Sequence, residues 1–275
     1  MERTCILPED LIARYRVTDA DNFVLADHPT RPDLWPDKDV AKDVQRENAR
    51  AIGDLAHRLY GERHRSVLII FQGMDTSGKD SATKSCFEYT PPLNVLVAAF
   101  KAPDREDLAH DYLWRIHKHA PKRGHITVFN RSHYEDVLVV RVRNLVPVDR
   151  VEQRYDQIND FERLLYENGT IILKFMLHMS YETQGERLRE RLMEPDKLWK
   201  FNPDDLKDRK LWPDFMEAYE RMVRRTSTHY APWHIIPVDS RSRRGAIISS
   251  IVRYTLEQMN PQYPQPEIDP EGYKI

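Results

Sequence analysis

The chain has 275 residues, with 42 Lys or Arg against 44 Asp or Glu and a net charge of −2. That balance argues against a duplex-DNA binder relying on bulk positive charge, while 40% apolar residues supply a core that a disordered chain lacks. No apolar run approaches the roughly 18 residues needed to span a bilayer. The start, Met1-Glu-Arg-Thr-Cys5, has no apolar signal segment. Two cysteines, Cys5 and Cys86, are too few for a disulfide framework or a zinc site. A soluble, cytoplasmic protein without nucleic-acid or membrane partners is expected.

Residues 1–35 mix charges and prolines around Tyr15, Phe23 and Trp35 and read as an irregular arm. From Val40 to Tyr60, Val40, Val44, Ile52, Leu55 and Leu59 keep helical spacing, and Gly61 reads as the stop. Residues 1–64 are thus an arm and a helix packed on a main domain, 65–275. There the pattern alternates. Ser66–Phe71 is a short apolar strand, followed by a glycine-bearing turn and a helix to about Glu88. Asn94–Phe100 is a second strand, Arg105–His119 a helix, and His125–Phe129 a third strand. Helices follow from about Tyr134 and over Asp149–Asn168, with strands at Thr170–Leu177 and His234–Val238. Strands alternating with helices imply a parallel sheet covered on both faces. Between the last two strands, the charged stretch around 182–212 carries Arg187, Arg189 and Arg191 and breaks at Pro195. It reads as a helical lid, or else as a plain exposed hairpin. The tail from Asn260, with Pro261, Pro264, Pro266 and Pro270, is extended.

Only nine glycines occur, and Gly73 and Gly78 fall within six residues. Gly73-Met74-Asp75-Thr76-Ser77-Gly78-Lys79 satisfies G-x-x-x-x-G-K between a predicted strand and helix, the context of a phosphate-binding loop. Backbone N–H groups and the helix N-terminus would hold phosphate oxygens, with Lys79 reaching the terminal phosphates. Asp80 stands where the common motif has a Ser or Thr for Mg²⁺, with Ser81 after it. Asp75, a carboxylate inside the loop, suggests a metal held by acids. Either aspartate also reads as an ordinary acid near a helix N-terminus. The third strand runs into Asn130-Arg131-Ser132-His133-Tyr134-Glu135-Asp136, placed beside the loop by the rule that ligands bind at strand carboxyl ends. Arg131 would neutralise a phosphoryl group in transit, while Glu135 and Asp136 offer metal or base functions. His133 reads as a packing residue. Between 113 and 143, seven cations including Arg115, Lys118, Lys122 and Arg123 face only Glu135 and Asp136. A local basic field beside a phosphate loop suits a long polyanion.

These segments, with Asp111-Tyr-Leu-Trp-Arg-Ile-His117, Trp199-Lys-Phe-Asn202, Asp205-Leu-Lys-Asp208, Ala231-Pro-Trp233 and Gln262-Tyr-Pro-Gln-Pro266, resemble the polyphosphate kinase 2 family from about Ala49 onward. The resemblance implies a P-loop kinase fold similar to thymidylate kinase, α/β with a parallel sheet flanked by helices. It implies Mg²⁺, with Mn²⁺ the alternative, and reversible transfer of the terminal phosphoryl group of inorganic polyphosphate to AMP and ADP, giving ADP and ATP. Carried over, Asp75, Lys79, Arg131 and Asp136 are the catalytic candidates, and Asp75, Glu135 and Asp136 the metal candidates. Gly73, Met74, Thr76, Ser77, Gly78, Asp80, Ser81, Asn130 and Arg191 are assigned to phosphate and nucleotide. Arg115, Lys118, Lys122 and Arg123 are assigned to a polyphosphate channel. Asn130 departs from the family, in which many members carry aspartate, and the form of this segment resembles the subgroup using both AMP and ADP. A homo-oligomer, dimer or tetramer, is expected. The rival readings are an ATP-dependent kinase of thymidylate kinase type and a nucleotide-binding switch without turnover.

Overall fold

The computed structural model describes residues 8–35 and 37–265, so Cys5, Pro266 and Pro270 lie outside the described residues. Its centre is a five-stranded parallel sheet in the order β2-β3-β1-β4-β5. The strands are β1 (Ser66–Gln72), β2 (Val95–Ala99), β3 (Ile126–Asn130), β4 (Thr170–His178) and β5 (Trp233–Pro237). All of β1 is buried because it has neighbours on both edges and helices on both faces. The expectation of full cover fails at β2, an edge strand that leaves Leu96 and Val97 about half exposed.

The helices are α1 (Pro8–Tyr15), α2 (Lys38–Glu62), α3 (Lys79–Phe87), α4 (Trp114–His117), α5 (Val139–Val142) and α6 (Val148–Glu167), then α7 (Tyr181–Met193), α8 (Pro195–Leu198), α9 (Pro203–Lys210), α10 (Trp212–Thr226) and α11 (Arg241–Met259). One layer joins α2, α3 and α11; α6 and α10 pack together in the other. Gly61 is not the stop of α2. The helix passes through it and ends at Arg63, which takes the left-handed conformation with φ 59°. The bare face of Gly61 instead receives Tyr263, whose ring a Cβ would meet at 2.9 Å.

The stretch expected as an irregular arm begins, among the described residues, with the regular helix α1. Leu11, Tyr15, Phe23 and Leu25 join the core, and Val17 N–H bonds the Trp233 carbonyl at 2.9 Å. The helix expected over Arg105–His119 is broken into a 3₁₀ turn at Asp107–Ala109 and the single turn α4. The reason is local: the Asp111 carboxylate accepts from the N–H groups of Leu113 and Trp114 at 3.0 and 3.1 Å, starting a new turn. The helix expected from Tyr134 likewise begins as a 3₁₀ turn, His133–Asp136, capped by Ser132.

A charged network is sealed beneath that turn. Lys174 and Glu162, both fully buried, pair at 2.6 Å. Lys174 Nζ also donates to Tyr134 Oη at 2.8 Å and the Thr226 carbonyl at 2.7 Å. Glu162 Oε1 accepts from Tyr134 Oη at 2.7 Å and lies 3.3 Å from His133 Nε2. His133 is a packing residue, as its setting in the sequence suggests.

Candidate active site

The phosphate loop turns from β1 into α3, with Thr76 at φ 69° and Gly78 at φ 97°. Side chains from behind engage its carbonyls: Gln184 holds that of Asp75 at 3.4 Å, and Arg187 that of Thr76 at 3.0 Å. Lys79 is buried and donates to the Gly73 and Met74 carbonyls at 2.7 and 3.3 Å; burial pushes its ammonium down from the ordinary value. Met74 and Ser77 are buried and line neither cavity, so the structure does not bring their side chains to a ligand.

Asn130 ends β3, whose register with β1 sets it against Phe71. Its side-chain amide donates to Asp80 Oδ1 at 2.5 Å, so the two meet beside the loop. Arg131 follows at φ 62°, a strained conformation for a residue with a side chain, and its Nη2 donates to Asp75 Oδ1 at 2.5 Å. Burial works to raise the Asp75 carboxyl, but Lys79, Arg131 and Arg191 outweigh it and hold it below the usual value. Burial disfavours the Arg131 cation, yet Asp75 and Glu135 keep it charged beyond its ordinary range. Helix α9 adds Asp205, paired with Arg191 at 3.1 Å and pushed up to about 6 by burial and by Asp75. Glu135 is raised by burial. Asp136 faces elsewhere: its carboxylate accepts from Arg154 at 3.0 Å, and burial pushes it to about 6.

Two cavities meet at this centre and share Asp75 and Arg131. The first is walled by Phe100, Pro103, Leu108, Tyr112, Val139 and Leu145, and its polar groups include Arg115, Arg143 and Arg154 and the carboxylates of Asp107, Asp136, Asp204 and Asp208. The second runs over Gly78, Lys79, Asp80, Ser81 and Asn130 and is basic, adding Arg187, Arg191, Lys197, Lys200, Arg241 and Arg244.

The structure does not bring the expected channel residues together. Arg115 lines the apolar cavity, ion-paired with Asp107 at 3.2 Å. Lys118 lies over the Trp114 ring, 2.9 Å from its centroid, in a separate surface groove. Lys122 and Arg123 precede β3 in the turn where Gly124 N–H bonds the Arg65 carbonyl at 2.7 Å, at the amino end of the sheet. The loop lies at the opposite end of the same strands. The local charge excess is also offset from outside, because Arg141 pairs with Glu152 and Arg143 with Asp208. Arg187, Asp205, Arg241 and Arg244 line the second cavity, although the sequence reading gave none of them a site role. Their signal was position: Arg241 and Arg244 follow the carboxyl end of β5, on the ligand-binding edge of the sheet.

A family described as Polyphosphate kinase 2 (PPK2) matches residues 36–264. The chain belongs to this family. It is 49% identical over 226 residues to the AMP/ADP-polyphosphate phosphotransferase of Meiothermus ruber, covering 82% of this chain and 85% of that protein. It is 36% identical to the ADP-polyphosphate phosphotransferase of Rhodopseudomonas palustris over 92% of each chain. The crystal structure of polyphosphate kinase 2 from Arthrobacter aurescens TC1 superposes with a TM-score of 0.92 at 34% identity, covering 99% of this chain and 96% of that one. The P-loop kinase fold, a parallel sheet flanked by helices, is therefore the fold of this polyphosphate kinase 2 family member. Among its described residues, no helix is long and apolar enough to cross a membrane.

Proposed function

We propose that this enzyme transfers the terminal phosphoryl group of inorganic polyphosphate to AMP and to ADP, reversibly, giving ADP and ATP. The observation that carries the reading is the joining of a basic chamber to a largely apolar pocket at Asp75 and Arg131. The chamber suits a polyanionic donor, and the pocket suits the nucleoside of an acceptor. The name of the relative from Meiothermus ruber supports both acceptors, and that of the relative from Rhodopseudomonas palustris supports ADP. A nucleotide donor is less well served: among the described residues nine cations line the chamber, and Trp199 is its one exposed aromatic side chain.

In the forward reaction a phosphate oxygen of the acceptor attacks the terminal phosphorus of the chain. The bond to the bridging oxygen breaks, and its electron pair stays on the shortened chain. Lys79 and Arg131 neutralise the equatorial oxygens of the phosphoryl group in transit, and Arg191 closes over it from the lid. No covalent protein intermediate is needed, because positioning and charge neutralisation supply the catalysis.

Magnesium fits this donor set. Asp75 and Asp205 bring two carboxylates close enough for one to raise the other, and Mg²⁺ is commonly held by one or two carboxylates together with substrate phosphates. Mn²⁺ meets the same requirement. Bound there, the ion would offset phosphate charge. Asp136 is engaged by Arg154 and serves the acceptor side in this reading. A cytoplasmic location belongs to the same proposal, and the exposed apolar side chains Leu93, Leu96 and Val97 at the β2 edge support a homo-oligomer. The test supplies AMP and polyphosphate without ATP and follows ADP and ATP over time. If AMP stays untouched while ADP is converted, the two-acceptor reading is wrong. If ATP but not polyphosphate serves as donor, the whole reading is wrong.

A further inference from the structure

Arg244, in the first turn of α11, is 3% exposed. Its Nη1 donates to the Ser77 carbonyl at 3.1 Å, and its Nε is buried without a partner. No carboxylate faces it among the described residues. Burial, Arg187 and Arg241 all work against its charge and push it down to about 10. A guanidinium is normally buried with an acid, because an unpaired charge in a protein interior is costly. Here the side chain lines the basic chamber, pressed against the bare α-carbon of Gly78, where a Cβ would lie 2.0 Å from Nη1. The second loop glycine thus makes room for a cation as well as turning the backbone. Arg187 lies alongside, and Arg241, though tied to Glu190, lines the same chamber. Arg244 is absent from the apolar cavity.

We propose that Arg244, seated against Gly78 with Arg187 and Arg241 beside it, is a phosphate subsite for an interior unit of the donor chain, behind the phosphoryl group that is transferred. The counter-ion missing from the protein is then the substrate itself, held by the planar fork of donors that suits phosphate oxygens. This inference rests on the polyphosphate reading above.

The test compares wild type, Arg244→Met and Arg244→Lys, measuring calorimetric binding of long-chain polyphosphate without nucleotide and KM for polyphosphate and for AMP. Wild type is expected to bind polyphosphate. Arg244→Met should weaken that binding and raise the polyphosphate KM about tenfold or more, the scale of a charged hydrogen bond. The AMP KM should stay put. Ligand-free Tm should hold or rise, since an unpaired buried charge is gone; a purely structural brace would lower it. Arg244→Lys keeps the charge without the fork and should lose part of the binding; it decides the matter if the Met variant does not fold. Undiminished polyphosphate binding in both variants would overturn the subsite, as would equal rises in both KM values. Wild type that binds AMP but no polyphosphate would bring down the donor reading itself.

Discussion

The buried Lys174–Glu162 pair offers the sharpest stability test. Glu162→Leu removes the carboxylate that accepts from Lys174 Nζ at 2.6 Å and Tyr134 Oη at 2.7 Å, with His133 Nε2 at 3.3 Å. Lys174 would keep only Tyr134 Oη and the Thr226 carbonyl, with no solvent access for its charge. Stranding one member of a buried pair costs about 3–5 kcal/mol, a large part of the stability of a typical domain. Lys174→Met strands the carboxylate and should cost a similar amount. The double variant leaves no ion behind, so its loss should be no greater than that of either single variant. The coupling free energy is then at least about 3 kcal/mol, against the few tenths found for independent sites. Urea unfolding of the four proteins measures it. Additive losses would refute the argument. The pair also supports the turn at His133–Asp136, which follows Arg131 and contains Glu135, so kcat should fall in the single variants that still fold.

Lys79→Ala should lower kcat by about 10²–10³, the scale for one preorganised donor at a transition state, with far-ultraviolet circular dichroism unchanged; near-normal turnover would exclude the loop from the chemistry. The pair Lys122→Ala and Arg123→Ala, at the amino end of the sheet, should leave KM for both long polyphosphate and tripolyphosphate unchanged. A selective rise for long chains would return these residues to the channel. Acid should destabilise the protein through His178 and His234, which burial pushes from 6.5 to about 4. Between those values the unfolded chain binds protons that the folded one does not. Stability is therefore complete above about pH 6.5 and is lost as pH falls toward 4, by up to about 3 kcal/mol per ring. Replacing His234 with Phe should flatten that limb in unfolding titrations, and an unchanged slope would count against the assignment.

The phosphate loop was legible because its whole device is contiguous: a buried strand, a glycine turn and a helix start within Ser66–Phe87. The five strands were legible for the same reason, as apolar runs that match the observed ones to within a residue or two. Helices set by a few side-chain caps were not. Asp111 breaks the segment expected as one helix, and a competing side-chain hydrogen bond leaves no mark on hydrophobic spacing. Charge misled for a different reason. Counting cations from 113 to 143 treats neighbours in sequence as neighbours in space, yet the five residues of β3 carry the chain from one end of the sheet to the other. Lys122 and Arg131 therefore lie at opposite ends of one strand, and acids from distant segments pair Arg141 and Arg143. The basic chamber itself draws on α3, β3, α7, α8, α9 and α11. Apart from Lys79, Arg131 and Arg191, its cations are unremarkable in sequence, and only the crossovers of a parallel sheet, which return every strand's carboxyl end to the same edge, bring Lys79, Arg187 and Arg244 to one cavity.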